Sequence, residues 1–250
     1  MKDIRSIYDI DIQHDSSNDV YHIAEEGEHL SNSKNRMLEA YDLFNALNIS
    51  DHMKDYIRFE QRTPQGTQHF IGILQAIKNA QVLKITHQGF WADKPKTRQV
   101  MPYLLKESKG RWYLVAEDPG DKIIKSFGLD RISDSALTKK KFKKMDVDTI
   151  DGLFDNCFGI VNPTNKKPEN LILSFSPRQG KYVKTYPLHE TQSVLVDDDK
   201  EYRIQLKLRI TEDLIMELLS HGWDLNIIAP PELRKQVKEI LEGTLVYYAT

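Results

Sequence analysis

With one cysteine in 250 residues, Cys157, the chain has no internal disulfide, which suits a reducing cytoplasm. Its longest apolar runs are a few residues, far short of the roughly 20 that cross a bilayer. The opening Met1-Lys-Asp-Ile-Arg-Ser6 lacks the apolar stretch of a secretory leader. No membrane partner is expected, and the location is read as cytoplasmic. The eight histidines show no paired metal spacing and none clusters with Cys157. There is no Gly-x-Ser-x-Gly elbow and no phosphate-binding glycine-rich loop. Asp197-Asp-Asp199 lacks the Gly and Glu of a calcium loop and reads as a hairpin turn. These absences leave hydrolase or transferase chemistry without a residue set, so no enzyme, metal or cofactor is expected.

What is present suits a soluble globular chain: 40% hydrophobic and 29% charged residues, enough for one large domain or two to three small ones. The net charge of −2 hides a local concentration, five lysines among the six residues 139–144. Attraction to an anionic partner depends on such patches rather than on totals, although a charge run also reads as the solvated edge of a linker.

Along the chain, Ile7, Ile10 and Ile12, a polar turn at residues 14–19, and Val20 to Ile23 predict a β-hairpin. Residues 31–34 offer N-caps for a helix carrying Met37, Leu38, Tyr41, Phe44 and Leu47. A short strand is predicted around Tyr56–Phe59, then a helix over 67–79 with Phe70, Ile71, Leu74 and Ile77 on one face. Four strands follow, Val82–Thr86, Thr97–Pro102, Arg111–Ala116 and Ile123–Leu129, separated by turns; such spacing favours a small barrel. The last section reads β-α-β-β-α-β with a closing helix, the order of a ferredoxin-like sandwich. Ser176-Pro177 and Thr211 open its helices, and Pro230-Pro231 opens the closing one.

Three ordered segments, Arg98-Gln-Val-Met-Pro-Tyr-Leu-Leu105, Gly110-Arg-Trp-Tyr-Leu-Val-Ala116 and Phe127-Gly-Leu-Asp-Arg-Ile132, resemble the WYL domain of bacterial transcriptional regulators. Tyr186-Pro-Leu-His189 and Ala229-Pro-Pro-Glu-Leu-Arg234 resemble features of the WCX extension that follows many WYL domains. The resemblance implies an α+β chain: a wing-like hairpin remnant of a winged helix-turn-helix (1–27), a helical linker with a short strand (28–80), an Sm-like or SH3-like barrel (81–147), a linker (148–168) and a WCX-like ferredoxin sandwich (169–250). It also implies a ligand-responsive regulator, or its effector-sensing half, that binds a nucleotide or single-stranded nucleic acid, contacts DNA through the winged helix and forms a homodimer, with the helix at 33–47 as the expected dimer contact. The alternative is an accessory interaction module that regulates another protein without reading DNA. The resemblance implies that the chain begins at the end of a recognition helix, so weak binding of duplex operator DNA by these 250 residues alone is expected.

The family's pocket positions fall on His87, Arg98, Tyr113, Lys125 and Arg131. Arginine forks bind phosphate bidentately and stack on bases, while Tyr113 and His87 offer ring faces for stacking. Arg131 also reads as a structural partner of Asp130, and Tyr113 as a core tyrosine. Strand alternation sets Trp112 and Leu114 opposite Tyr113 as packing residues. The family often carries an arginine where this chain has Gly128, a loss of charge expected to weaken anion binding or change the ligand.

Overall fold

The computed structural model describes residues 12–15, 20–23, 65–163 and 165–249, in two units that divide after Gln61. In the first unit, β1 (Ile12–Asp15) and β2 (Val20–Ile23) pair antiparallel, with Ile12 opposite Ile23 and Asp15 opposite Val20. This is a hairpin at the predicted place, with His14 and Asp15 in the strand and not in the turn, while Ile7 and Ile10 lie outside the described residues. The helix predicted at 33–47, its dimer contact and the strand near 56–59 lie outside the described residues.

The second unit starts at α1 (Phe70–Lys78), preceded by a single 3-10 turn (Thr67–His69). Its buried stripe is Ile73 and Ala76, flanked by the partly buried Phe70 and Ile77. Ile71 and Leu74, which the sequence reading puts on that stripe, are exposed. The helix is apolar on more than one side, so spacing alone does not choose which stripe the sheet covers.

Five strands follow: β3 (Gln81–His87), β4 (Lys96–Ser108), β5 (Arg111–Asp118), β6 (Ile123–Gly128) and β7 (Ile132–Lys141). All pair antiparallel in the order β6-β5-β4-β3-β7. β4 serves both halves of this sheet, and its register with β5 shifts between Pro102 and Leu104. Proline has no N–H to give to a ladder and is tolerated at such a bulge; the bulge bends β4 so that the sheet curls. The extra residue, Tyr103, is buried and donates its hydroxyl to Glu117 Oε2 at 2.9 Å. Burial and the Glu117 carboxylate push that phenol up to about 12. Leu83, Ile85, Val100, Leu114, Phe127, Leu129 and Ile132 close over Ile73 and Ala76 as one core, giving a small Sm-like barrel with its helix.

Strand β7 is missing from the sequence reading, which ends the barrel at four strands. Lys139 to Lys141 are not a linker edge; they complete a strand in which Lys141 pairs with Gln81. Nearly every residue of β7 after Ile132 faces solvent or is only partly covered, so it carries no apolar alternation by which a strand is recognised.

After α2 (Val147–Asp151), β8 (Glu169–Phe175), α3 (Pro177–Thr185), β9 (Ser193–Asp197), β10 (Tyr202–Leu208), α4 (Glu212–Ser220) and β11 (Leu225–Ala229) form the predicted β-α-β-β-α-β unit, closed by α5 (Pro231–Leu245). The sheet order β11-β8-β10-β9 is that of a ferredoxin-like sandwich. Ser176 caps α3 by accepting from the Gln179 N–H, with Pro177 in the first turn, and Thr211 caps α4 through the Leu214 N–H. Leu171, Leu173, Phe175, Ile204, Leu206, Leu214 and Leu218 fill the interface between sheet and helices.

The connecting segment is tied to both halves. Ser126 on β6 donates to the Ile160 carbonyl at 3.1 Å. Asp213, in the first turn of α4, accepts from the N–H groups of Ile160 (2.9 Å) and Val161 (3.3 Å). Lys109, in the β4–β5 turn, reaches Glu217 on α4 at 2.9 Å. Cys157 is buried, with its sulfur 3.4 Å from Arg209 Nη1 and 3.6 Å from Asn162 Oδ1, and burial raises its pKa. This suits an inert packing thiol.

Two helical glycines give opposite expectations. At Gly180 an added Cβ would meet Tyr202, with the ring Cγ only 2.9 Å away, because α3 lies close on β10; at Gly72 it would meet nothing within 4 Å. Gly180→Ala is expected to lower stability by about 1–3 kcal/mol through overpacking. Gly72→Ala is expected to raise it by about 0.5–1 kcal/mol through helix propensity. Urea unfolding of the two variants checks both signs.

Candidate anion-binding site

Alternation along β3 sends Leu83, Ile85 and His87 to the barrel interior. Arg98 lies opposite Ile85 on β4, so it shares that face, and Lys125 lies opposite Ala116 on β6. The apolar core therefore gives way to a polar end in which four of the five expected residues, His87, Arg98, Lys125 and Arg131, gather. His87 is buried edge-to-face against Phe127, centroids 5.3 Å apart. The Arg98 guanidinium stands over the same ring at 5.7 Å. Asp118 lies 3.8 Å from Arg98 Nε and 3.3 Å from Lys125 Nζ, and Lys125 is paired with Asp121 as well.

Arg131 comes from the 3-10 turn Leu129–Arg131 between β6 and β7. Its Nε is 3.6 Å from Asp130 Oδ1, outside hydrogen-bond reach, so the ion pair anticipated from the sequence is a loose one. Its guanidinium stacks on the Phe90 ring at 4.2 Å from the centroid. A Cβ added to Gly128 would lie 2.6 Å from Arg131 Nη2 and 2.9 Å from Nε. Arg131 thus occupies the space that a side chain at 128 would fill. Gly66, at φ +84°, closes the other side: an added Cβ would overlap the Leu129 carbonyl and stand 2.6 Å from the Asp130 nitrogen.

Among the described residues, five buried side-chain polar atoms have no hydrogen-bond partner, and four belong to this cluster: His87 Nε2, Arg98 Nε, Asp130 Oδ1 and Arg131 Nε. Burial, then the charges of Arg131 and Arg98, hold His87 at about 4, against a smaller opposing effect of Asp130. At neutral pH it is uncharged, and the positive charge here belongs to the arginines and Lys125. Beside the cluster lies a cavity of about 440 Å³ lined by Gln88, Phe90, Pro95, Asp130, Arg131 and Ser133, among others, within the size range of small-ligand pockets.

Tyr113 is not part of this site. Trp112, Leu114 and Ala116 pack on the barrel core, so Tyr113 and Val115 alternate to the other face of β5, where both are buried. Trp112 packs edge-on against Phe70, 4.9 Å between centroids. Neither Tyr113 nor His87 presents an open ring for stacking. Open rings beside the cluster are those of Phe90 and Trp91, in the β3–β4 turn, which the sequence reading passed over. The available signal was an adjacent aromatic pair beside Gly89 in a loop, where binding residues concentrate.

A second cavity, of about 500 Å³, lies between Lys106–Ser108, the segment around Phe154–Gly159 and Tyr186–Glu190. Glu107, Asp155 and Glu190 line it against Lys106, a balance that does not favour an anion. His189 is engaged locally, its Nδ1 receiving the Thr191 N–H at 3.2 Å. Among the described residues no group of three or more His, Cys, Asp or Glu is placed to hold a metal ion, and no helix is long and apolar enough to cross a membrane.

Comparison with known proteins is consistent with this architecture. Residues 68–137 match the WYL domain family and residues 167–245 match the WCX domain family. Over 69 residues, 27% of this chain, it is 36% identical to the protein PafB of Mycobacterium bovis and of Mycobacterium tuberculosis, a stretch that spans 21% of PafB. Among solved structures it is similar to proteasome accessory factor B/C (PafBC) of Arthrobacter aurescens, at 19% identity over 78% of this chain and 29% of that one, TM-score 0.32. A CRISPR Cas-related protein is similar at 11% identity over 73% of this chain and 53% of that one, TM-score 0.45. By sequence and by the order of its two folded parts, the chain carries a WYL domain followed by a WCX domain.

Proposed function

We propose that this chain is a ligand-responsive transcription regulator, or its effector-sensing half, whose WYL barrel binds a nucleotide or single-stranded nucleic acid at the Arg98–Arg131 cluster. The observation that carries the reading is the concentration of unsatisfied buried polar atoms at one end of the barrel. Each such atom costs about 1–3 kcal/mol when left unpaired, and native structures keep few of them. A phosphate group offers acceptors to Arg98 Nε and Arg131 Nε through charge-assisted hydrogen bonds. Asp130 Oδ1 requires a donor, which a bare anion lacks and a sugar hydroxyl or base N–H provides. A nucleotide carries both kinds of group.

The pairing of WYL and WCX domains supports regulation of transcription as the setting, in a homodimer acting on DNA through an attached winged helix. Binding, not catalysis, is the assigned chemistry. Effector binding acts on DNA binding only where the effector's affinity differs between two conformations. The bonds of the 160–161 backbone to Ser126 and to Asp213 offer a route from the barrel to the WCX domain.

Arg98→Ala and Arg131→Ala are each expected to weaken binding of a nucleotide or short oligonucleotide about tenfold or more, the worth of one charge-assisted hydrogen bond, with thermal melting as the control for folding. Fluorescence anisotropy at low salt measures it, and parent-like affinity in both variants would refute the site.

His87 gives a second measurement. Its pKa is depressed on folding from 6.5 to about 4, so below pH 6.5 the unfolded chain takes the proton first. The stability tied to its neutral form is fully present above pH 6.5 and is lost as pH falls toward 4. An anion bound to Arg98 and Arg131 offsets the charges that help hold the value down, so ligand binding is expected to raise it. NMR titration of the imidazole with and without saturating ligand reads this shift; a His87 that titrates near 6.5 in the free folded chain would contradict the assignment.

A further inference from the structure

The β3–β4 turn holds two large aromatic side chains in water, Phe90 at 68% and Trp91 at 98% exposure. Both belong to a braced turn. The Gln88 N–H donates to the Arg131 carbonyl at 3.1 Å, the Ala92 N–H to the Gly89 carbonyl at 3.1 Å, and the Gln88 side chain to the Ala92 carbonyl at 2.9 Å. An ordered turn that keeps an indole fully hydrated forgoes the stabilisation its burial would bring. Phe90 is already engaged on one side, stacked on the Arg131 guanidinium, and both Phe90 and Arg131 line the 440 Å³ cavity. A cationic fork, an aromatic ring laid over it and a neighbouring exposed indole are the components of a site that holds a phosphate and stacks a base.

We infer that Phe90 and Trp91 form the base-stacking platform of the barrel, and that the ligand is a phosphate carrying a flat heteroaromatic ring rather than a simple anion. This rests on the anion-binding reading above and adds to it the residues that select the ligand. The phosphate lies on Arg131 and Arg98, and the ring lies on the solvent faces of Phe90 and Trp91. A nucleoside monophosphate and a single-stranded oligonucleotide share this chemistry. Stacking tolerates any base, since each has a π-face, so affinity should vary little with base identity and strongly with base presence.

The test uses the 250-residue chain with four probes: a nucleoside monophosphate, short oligo-dT, an abasic oligomer of the same length, and pyrophosphate. Trp91→Ala is expected to weaken binding of the two base-bearing probes about tenfold or more, or about 1.4 kcal/mol, and to leave pyrophosphate and the abasic oligomer unchanged. Trp91→Phe should recover most of the loss, while Trp223→Ala, at another exposed indole, should change nothing. In the parent protein, quenching of indole fluorescence on binding should vanish in Trp91→Phe although the ligand still binds. Tighter binding of a base-bearing probe than of its base-free counterpart, with that advantage lost in Trp91→Ala, upholds the inference and identifies which of the two is the effector. If Trp91→Ala and Phe90→Ala bind all four probes as the parent does, while Arg131→Ala weakens them all, the stacking platform is refuted and the anion site stands. If the parent binds none of them at low salt, both readings fall. Thermal melting separates loss of binding from loss of fold, and an exposed turn leaves little reason for these variants to unfold.

Discussion

The candidate site depends on one close approach of backbone to backbone. Gly66 sits against the Leu129 carbonyl with no room for a Cβ, at a φ that a residue with a side chain adopts only with strain. This contact holds the 3-10 turn of residues 129–131 down on the start of the barrel helix. Gly128 has no side chain at the point where Arg131 folds back, so the guanidinium settles over the strand end. His69 adds a polar tie, its ring within 2.9 Å of the Ile132 carbonyl and 2.8 Å of the Ser135 hydroxyl. Two glycines and one histidine thus place the arginine, and no single strand does so.

A barrel of this size has a small interior, and here its apolar filling stops before the strands do. Past Ile85 and Val100 the inward positions are His87 and Arg98, and past Phe127 they meet Arg131. Carboxylates stand near, at 3.6 Å and 3.8 Å from the two arginine Nε atoms, close enough to lower the cost of burying charge but outside hydrogen-bond distance. Full pairing would have made a structural network. Loose pairing leaves buried donors without a hydrogen-bond partner, and the neutral His87 between the arginine charges is a consequence of the same crowding.

The linker joins this barrel to a second domain whose core is independent of it. Few bonds make the connection, and the bonds to the 160–161 backbone come from Ser126 on one side and Asp213 on the other. Gly159 allows it, since a Cβ there would meet the Asp213 side chain, with Cγ at 2.9 Å. Any displacement of β6 would therefore bear directly on the first turn of α4. The apolar interiors on either side, being densely packed, transmit displacement rather than absorb it.

Local chemistry was legible in the residues themselves. Period-2 alternation and turn residues marked β3 to β6, caps at Ser176 and Thr211 marked the helix starts, and β10 fell on Tyr202–Leu208 as read. The alternation of β5 already put Trp112 and Leu114 opposite Tyr113, and Arg98 and Arg131 were singled out before the structure showed them at one end of the barrel. What the sequence did not decide depended on neighbours. β7 has no apolar period because its pairing with β3, not burial, makes it a strand. The stripe of α1 that turns inward, Ile73 and Ala76 rather than Ile71 and Leu74, was selected by the sheet it covers. The placing of Tyr113 on the face of β5 away from the barrel core follows from which face of the sheet points inward, and the exposure of Phe90 and Trp91 follows from how the β3–β4 turn is braced. Periodicity reports that a residue has a face; only the closed tertiary structure determines what that face meets.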